Sequence, residues 1–413
     1  MPMTRAQCLE ADRIDPLARY RDAFVLPPDT IYLDGNSLGP LPKAVAGCLH
    51  DTVVEQWGQG LIGSWNDHDW IGLAERLGEK IAPLIGAGPG QVIVADSVSV
   101  NLYKLLATAL SLRPGRTIIL SSEDNFPTDL YIAQGLTALL GRERCELVIL
   151  EGSRLMKAIG ANTAVVMLTH VDFRSGRLYD MQSITQQVHD AGALMLWDLS
   201  HSTGALPLKL DALDVDLAVG SGYKYLNGGP GAPAFLYVAA RHLGNATQPL
   251  RGWMGHAEPF AFRPGYEPAP GILRFQSGTP PVLSYRALEA ALALWDNVDL
   301  DQLRDKSVLL SETFIELVQA SEVLSDFVLN SPREAAERGS QVSFAHPLGY
   351  AIMRALIDRR VIGDFREPNL LRFGLAPMYT RYVDVWDAVA HLDGVMLNRE
   401  YDAPEFREQP RVT

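Results

Sequence analysis

The chain has 413 residues, 47% of them hydrophobic and 21% charged, with a formal net charge of −13. At roughly 150 residues per domain this is two or three domains, with enough chain to bury a core without disulfide or metal staples. The composition excludes wholesale disorder, and the acidic balance excludes a global field suited to nucleic acid or an anionic membrane.

Residues 1–45 read as a helical start, an extended segment at Ile31-Tyr32-Leu33-Asp34, and a turn through Gly35-Asn36-Ser37-Leu38-Gly39-Pro40. From about residue 70, strands and helices alternate. Apolar, β-branched runs predict strands at 91–95, 117–120, 145–150, 163–170, 194–197, 218–220 and 234–238. Helices are expected between them at Ser99 to Leu110, Thr128 to Leu140 and Tyr179 to Ala191. Pro281 to Asn297 reads as one long helix. The polar end, Tyr401 to Thr413, is expected to fray.

Continuous apolar strands separated by amphipathic helices make an α/β fold with a mostly parallel central sheet covered on both faces. The expected division is a large domain over 46–297 and a smaller α+β domain over 298–413, with the N-terminal segment 1–45 associated with the small one. In such sheets ligands sit beyond the carboxyl ends of the strands, so polar residues just after each strand are the ones to weigh.

Four segments stand in that position. Asp198 follows one apolar run and Lys224 follows the next, within the Gly-rich stretch 220–231. A salt bridge is the plainer alternative for an isolated pair, but the glycines favour backbone packed closely around a specific object. Asp96 to Asn101 joins a strand to a helix and offers free N–H groups and hydroxyls to an anion such as phosphate, although Ser there can be only an N-cap. Asn125 to Asp129 reads either as a proline turn capped by Thr128 or as an aromatic face beside a planar ligand. Together they describe pyridoxal 5′-phosphate: a helix N-terminus for the phosphate, a stacking face and carboxylate for the ring, and a lysine for the aldehyde. In that reading Asp198 keeps the pyridine nitrogen protonated, and Lys224 carries the cofactor covalently and then serves as base.

Seven strings, YLDGNSLG (32–39), NFPTDLY (125–131), WDLSHSTGALP (197–207), GSGYKYLNGGPG (220–231), GWMGH (252–256), FQSGTPP (275–281) and LLRFGLAPMY (370–379), occur in order along the chain. This pattern resembles the kynureninase family of fold-type I, aspartate-aminotransferase-like pyridoxal-phosphate enzymes. The resemblance spans about residues 20–380. It implies hydrolytic Cβ–Cγ cleavage of L-kynurenine to anthranilate and L-alanine.

The same resemblance implies a set of roles. Lys224 carries the cofactor, Asp198 meets its ring nitrogen with His201 nearby, Phe126 stacks on the ring, and Asp129 lies close. Thr169 contacts the ring's substituents. Val98, Ser99 and Tyr223 bind the phosphate, with Tyr223 also the acid–base group. Trp253 and Thr279 reach the phosphate of a partner subunit, which implies a homodimer with shared sites. Arg372 receives the substrate carboxylate, as a bidentate guanidinium can. Ser37 and Trp65 line the aryl pocket. The animal branch has Asn at the position of Thr279 and His at that of Trp65, so the resemblance is to the bacterial type and favours L-kynurenine as substrate, with the 3-hydroxy derivative, giving 3-hydroxyanthranilate, as a second one left open.

The alternatives use other residues. A cysteine desulfurase or selenocysteine lyase on this scaffold needs a mobile thiol near the C-terminal region, and Cys8, Cys48 and Cys145 lie elsewhere. An aminotransferase-like enzyme would share the contacts but not the seven strings. A serine hydrolase lacks its G-x-S-x-G elbow. A non-catalytic relative would have no reason to keep Lys224, Asp198 and Arg372 together. The histidines show no metal spacing. The three cysteines form no CxxC pair, which suits a reducing compartment. The N-terminus has no apolar signal core and no run reaches ~20 apolar residues, so a soluble cytoplasmic protein is expected.

Overall fold

The structure, a computed structural model, describes residues 2–406. Thirteen strands occur in chain order: β1 (Ile31–Tyr32), β2 (Val92–Val94), β3 (Ile118–Ser122), β4 (Glu146–Leu150), β5 (Thr163–Thr169), β6 (Leu194–Asp198), β7 (Leu217–Gly220), β8 (Phe235–Val238), β9 (Val328–Leu329), β10 (Gln341–Ala345), β11 (Val361–Ile362), β12 (Asp364–Arg366) and β13 (Leu370–Gly374). The main sheet has the order β2-β8-β7-β6-β5-β3-β4. Its neighbours are parallel from β7 to β4, and β8 runs antiparallel to both β7 and β2. Strands β5 to β8 are buried along their whole length, which is why they read as unbroken apolar runs. Helix Val98–Leu112 packs on β5, β7 and β8, and helix Met181–Asp190 on β6.

A second, antiparallel sheet has the order β12-β13-β10-β9. Its register sets Asp364 opposite Arg372. The N-terminal segment joins this unit through the parallel pair β1–β11.

Each sheet has its own hydrophobic core. One gathers the β2–β8 side chains with Leu17, Phe24 and Trp295. The other gathers Cys8, Leu33, Phe314, Phe344, Phe373 and Val385. In it the Phe314 and Phe373 rings lie 4.8 Å apart, and truncating either to alanine would cost ~3–5 kcal/mol.

Three local expectations change. Helix Pro127–Leu140 starts at Pro127, with Phe126 at the N-cap, so Thr128 is not the cap. Proline, which lacks an N–H, takes the first helical position. The long helix ends at Leu292 and tightens into a 3-10 turn over Ala293–Trp295. Of the tail expected to fray, Tyr401 and Phe406 pack on the second core, and residues 407–413 lie outside the described residues.

Candidate active site

The carboxyl ends of β5 and β6 pair Thr169 with Asp198. One Asp198 oxygen accepts from the Ser200 amide at 2.8 Å and the Ser200 hydroxyl at 2.5 Å. Beyond β7, Gly220, Gly222 and Gly228 sit where their neighbours leave no room for a side chain. A Cβ on Gly222 would lie 2.4 Å from the Pro233 carbonyl, and one on Gly220 would strike the Phe235 ring. This tight fold delivers Lys224 into the pocket. Its ammonium makes no hydrogen bond among the described residues and stands 5.9 Å from the centre of the Tyr223 ring. Burial lowers the Lys224 pKa to about 8, although Asp198 pulls it upward.

Asp129, in the first turn of helix Pro127–Leu140, is 0% exposed. Neither of its carboxyl oxygens has a hydrogen-bond partner among the described residues. Burial, and next the charge of Asp198, push Asp129 well above the usual carboxylate range, while Lys224 works the other way. Burial likewise raises Asp198, against the pull of Lys224 and Ser200. Two buried carboxyls therefore converge on one lysine. The orphaned oxygens of Asp129 are an energetic deficit that a cationic N–H of a bound group would relieve.

Asn125 builds the walls. Its side-chain oxygen accepts from the Phe126 amide at 2.9 Å and the Thr169 amide at 3.1 Å, so one side chain fixes both. Phe126 meets Phe173 edge to face at 5.1 Å. The Thr169 hydroxyl donates to the Val171 carbonyl at 3.0 Å, leaving its lone pairs for a neighbour. His201 lies within 3.0 Å of Gln341 through Nδ1 and Oε1. Because the Gln341 amide nitrogen donates to the carbonyls of Asp172 and Phe173, its oxygen must accept, which puts the proton on His201 Nδ1. Burial first, then the Lys224 and Arg372 charges, hold His201 neutral.

Helix Val98–Leu112 opens toward this region with Ser97 as N-cap. The amides of Val98 and Ser99 precede the first intrahelical bonds and are free for an anion. The turn before them is held in a left-handed conformation at Asp96, φ 48°. Lys104, 0% exposed, bonds both the Asp96 carboxylate and the Phe275 carbonyl, which ties the helix start to the segment leading to Thr279.

The second sheet supplies Arg372, 2% exposed on β13. Its Nε donates to Asp364 Oδ1 at 2.8 Å, its Nη2 to Asp364 Oδ2 and to Ser37 Oγ at 2.9 Å, and its Nη1 to the Phe173 carbonyl. Ser37 donates to Asp364 at 2.7 Å, and Arg366 lies 2.8 Å from Asp364. Asp34 has one buried oxygen without a partner, and burial with the nearby Asp364 charge lifts it to about 7. The turn carrying Ser37 is seated on the lysine segment: Gly39 donates its amide to the Tyr223 carbonyl at 2.9 Å, and a Cβ there would lie 2.3 Å from the Lys224 carbonyl.

Besides Val98 and Ser99 at the helix start, three sequence-predicted residues are not drawn into this cluster by any hydrogen bond or ring contact among the described residues. Trp65 is half-buried and packs edge to face on Trp70 at 5.9 Å. Trp253 packs against Phe260 at 5.5 Å and Phe262 at 6.4 Å. Thr279 is exposed.

A family model described as the kynureninase C-terminal domain matches residues 303–392. The kynureninase of Burkholderia pseudomallei (strain 1106a) is 50% identical over 414 residues, covering 99% of this chain and 100% of its own. The chain belongs to the kynureninase family. The kynureninase of Pseudomonas fluorescens is 46% identical over the same spans. Among solved structures, the apo cysteine desulfurase of Thermococcus onnurineus NA1 superposes with a TM-score of 0.77 at 20% identity, covering 92% of this chain and 98% of that one. A cystine C–S lyase in complex with cysteine persulfide gives 0.75 at 21%, covering 89% and 98%. These two likenesses show the fold.

The residues of this kynureninase-family site fit pyridoxal 5′-phosphate. Lys224 suits the aldehyde, the Asp198–Asp129 pair the ring nitrogen, and the free amides of Val98 and Ser99 the phosphate. The sequence reading passed over Asn125 as a hub, Lys104, Gln341, Asp34, Asp364 and Arg366. Asp364-Phe365-Arg366 does alternate as a strand before LLRFG, but only the register places it against Arg372.

Proposed function

We propose that this chain hydrolyses the Cβ–Cγ bond of L-kynurenine, giving anthranilate and L-alanine, with pyridoxal 5′-phosphate on Lys224. The observation that carries the reading is the buried convergence of Lys224, Asp198 and Asp129 beside a buried Arg372. Full-length relatives at 46–50% identity carry the name kynureninase. Bound pyridoxal phosphate supplies an electron sink for the bonds around the substrate's amino-bearing carbon.

The protein's part follows from its residues. With a pKa near 8, Lys224 is partly neutral amine at neutral pH and about half so near pH 8, fit to bind an aldehyde and then to take a proton from Cα. Asp198 is the partner for the ring nitrogen, drawn toward its ionised form by Lys224 and Ser200 against burial, while Asp129, raised further by the Asp198 charge, favours its protonated form until a cation arrives. Arg372 holds the α-carboxylate, pre-oriented by Asp364. Phe126 covers the ring face, Thr169 and His201 border it, and Ser37 and Trp65 face the aryl group. Burial and Asp198 raise the Tyr223 pKa, so its phenol keeps its proton and enters as the donor. Water oxygen bonds to Cγ and gives up a proton, the Cβ–Cγ electron pair stays on Cβ, Tyr223 delivers a proton there and is reprotonated by the one the water gave up, and Cγ leaves as the carboxyl group of anthranilate.

The reading includes a homodimer in which Trp253 and Thr279 serve the partner's cofactor phosphate. Exposed apolar side chains at Trp57 and Ile62, the latter 81% exposed, and at Phe260 and Phe262 support a covered face. It also includes the division into 46–297 and 298–413, supported by the two cores, and a cytoplasmic home, supported by three free cysteines. Among the described residues no helix is long and apolar enough to cross a membrane. The desulfurase alternative needs a mobile thiol, but Cys8 and Cys145 are buried and Cys48 donates to the Arg286 carbonyl.

The test is product analysis with the cofactor-loaded protein. L-Kynurenine should yield anthranilate and L-alanine in equal amounts, and Lys224→Ala should abolish turnover with the fold retained. Sulfur release from cysteine outpacing anthranilate release would overturn the reading.

A further inference from the structure

A cleft of about 520 Å³ lies between the two units, lined by none of the residues placed at the active site above. From the main-sheet side it is walled by Leu178, Met181, Leu206 and Leu213; from the other side Arg304, on helix Leu300–Ala320, enters it. The volume falls within the range of small-molecule sites.

Two groups in it have polar atoms without an acceptor or donor among the described residues. The half-buried Arg304 guanidinium donates to the carbonyls of Ala335 at 2.7 Å, Arg338 at 2.8 Å and Gly339 at 3.4 Å. It has no ion pair among the described residues, and its Nε and one Nη1 hydrogen have no protein acceptor. Burial, then the neighbouring Arg338, lower it to about 10 against the pull of the exposed Asp305, so it remains a cation with no carboxylate in hydrogen-bond contact among the described residues. His170 is 6% exposed and packs edge-on to Trp197 at 5.6 Å. Its Nδ1 meets Ser202 at 2.8 Å, and its Nε2 has no partner among the described residues. Asp180, Lys209 and Glu337 also line the cleft but are exposed, where solvent screens them. The charge inside is that of Arg304.

We infer that this cleft is a binding site for a small apolar carboxylate, its carboxylate on Arg304, its body against the leucines and Met181, and one polar contact at His170 Nε2. Such a ligand would brace a seam that runs to the active site. Leu178 donates to the Glu337 carbonyl and Gly339 to the Gly176 carbonyl, both at 2.8 Å, and Gln341 holds Phe173.

The probe is 2-naphthoate, titrated calorimetrically into the cofactor-loaded protein, with 2-naphthalenemethanol as the neutral control. One naphthoate per chain is expected, with the alcohol at least tenfold weaker. Arg304→Gln should weaken naphthoate at least tenfold, and Leu213→Trp, which fills the cleft without touching the cation, should abolish it. Arg372→Gln, which removes the proposed active-site anchor, should leave it unchanged. No binding by the unaltered protein overturns the inference, as does loss in Arg372→Gln with retention in Arg304→Gln. Should Arg304→Gln fail to fold, undiminished binding by folded Leu213→Trp overturns it. These heats do not depend on turnover, so they stand apart from the fate of the kynureninase reading.

Discussion

Replacing Arg372 by lysine should damage catalysis and stability by different amounts, and the structure sets both. The guanidinium spans both Asp364 oxygens, Ser37 and the Phe173 carbonyl. An ammonium keeps the charge but cannot hold this fork or offer two parallel N–H groups to a substrate carboxylate. Losing one charge-assisted hydrogen bond to the substrate costs ~1.5–3 kcal/mol, or roughly ten- to a hundredfold in kcat/KM. Asp364 would still have Arg366 at 2.8 Å and Ser37 at 2.7 Å. The fold should therefore lose about 1–3 kcal/mol, less than the ~3–5 kcal/mol for breaking a buried pair outright. The assay measures kcat/KM for L-kynurenine and the denaturant midpoint on one preparation, with the cofactor's visible spectrum as a control that should not move. Asp364→Asn is the companion variant. It leaves the guanidinium in place, so stability should fall comparably while kcat/KM falls less than tenfold. A less stable Arg372→Lys protein with unchanged kcat/KM would mean that Arg372 serves only Asp364, and the carboxylate-anchor reasoning would be wrong.

Asp129→Asn should stabilise the cofactor-free protein at pH 7–8 while weakening cofactor binding. Its folded pKa is raised, so above its ordinary value near 3.8 folding must return a proton to this carboxyl, and the gain should vanish below about pH 4; denaturant curves at both pH values check this. Asp216 has the opposite sign. Burial alone would raise it, but His189 and His242, each at 2.7 Å, and the Met195 amide at 2.8 Å outweigh burial and hold it low. Asp216→Asn should cost ~1–3 kcal/mol at pH 7, and the gap should narrow as pH falls below the unfolded value of about 3.8; a gap independent of pH would contradict the clamp. Mixing inactive Lys224→Ala and Thr279→Ala chains should restore partial activity, because a hybrid dimer with shared sites keeps one site intact. No recovery after demonstrated subunit exchange would count against sharing.

The sheet was legible because its strands are buried on both faces, and a run such as Leu194 to Trp197 has few other readings. Strand direction was not. Phe235 to Val238 looks like its parallel neighbours, and only its pairing with β7 and β2 reverses it. At the site, Lys224 and Asp198 stood out because a glycine-rich turn and a strand end mark them locally. The partners of Arg372 did not, because cross-strand register joins Asp364 to it and no spacing rule encodes register. Asp129 was visible as a residue, but its complete burial without a hydrogen bond arises from packing. Thr128 was misjudged as a cap because a proline beside it took the first helical position.

Counting hydrogens on the Arg372 side chain has one more implication. A guanidinium carries five N–H bonds, and four of them already point at Asp364, Ser37 and Phe173. In the proposed role, a carboxylate needing two must exchange one existing acceptor rather than simply add to the set. Ser37 is the cheapest to release, being neutral and able to keep its own bond to Asp364. Admission is then selective by stoichiometry: a molecule with one weak acceptor can occupy the single spare hydrogen but gains nothing by dislodging the serine. The turn that carries Ser37 rests through Gly39 on the Tyr223 carbonyl, so this swap takes place on the same piece of backbone that holds the proposed proton donor.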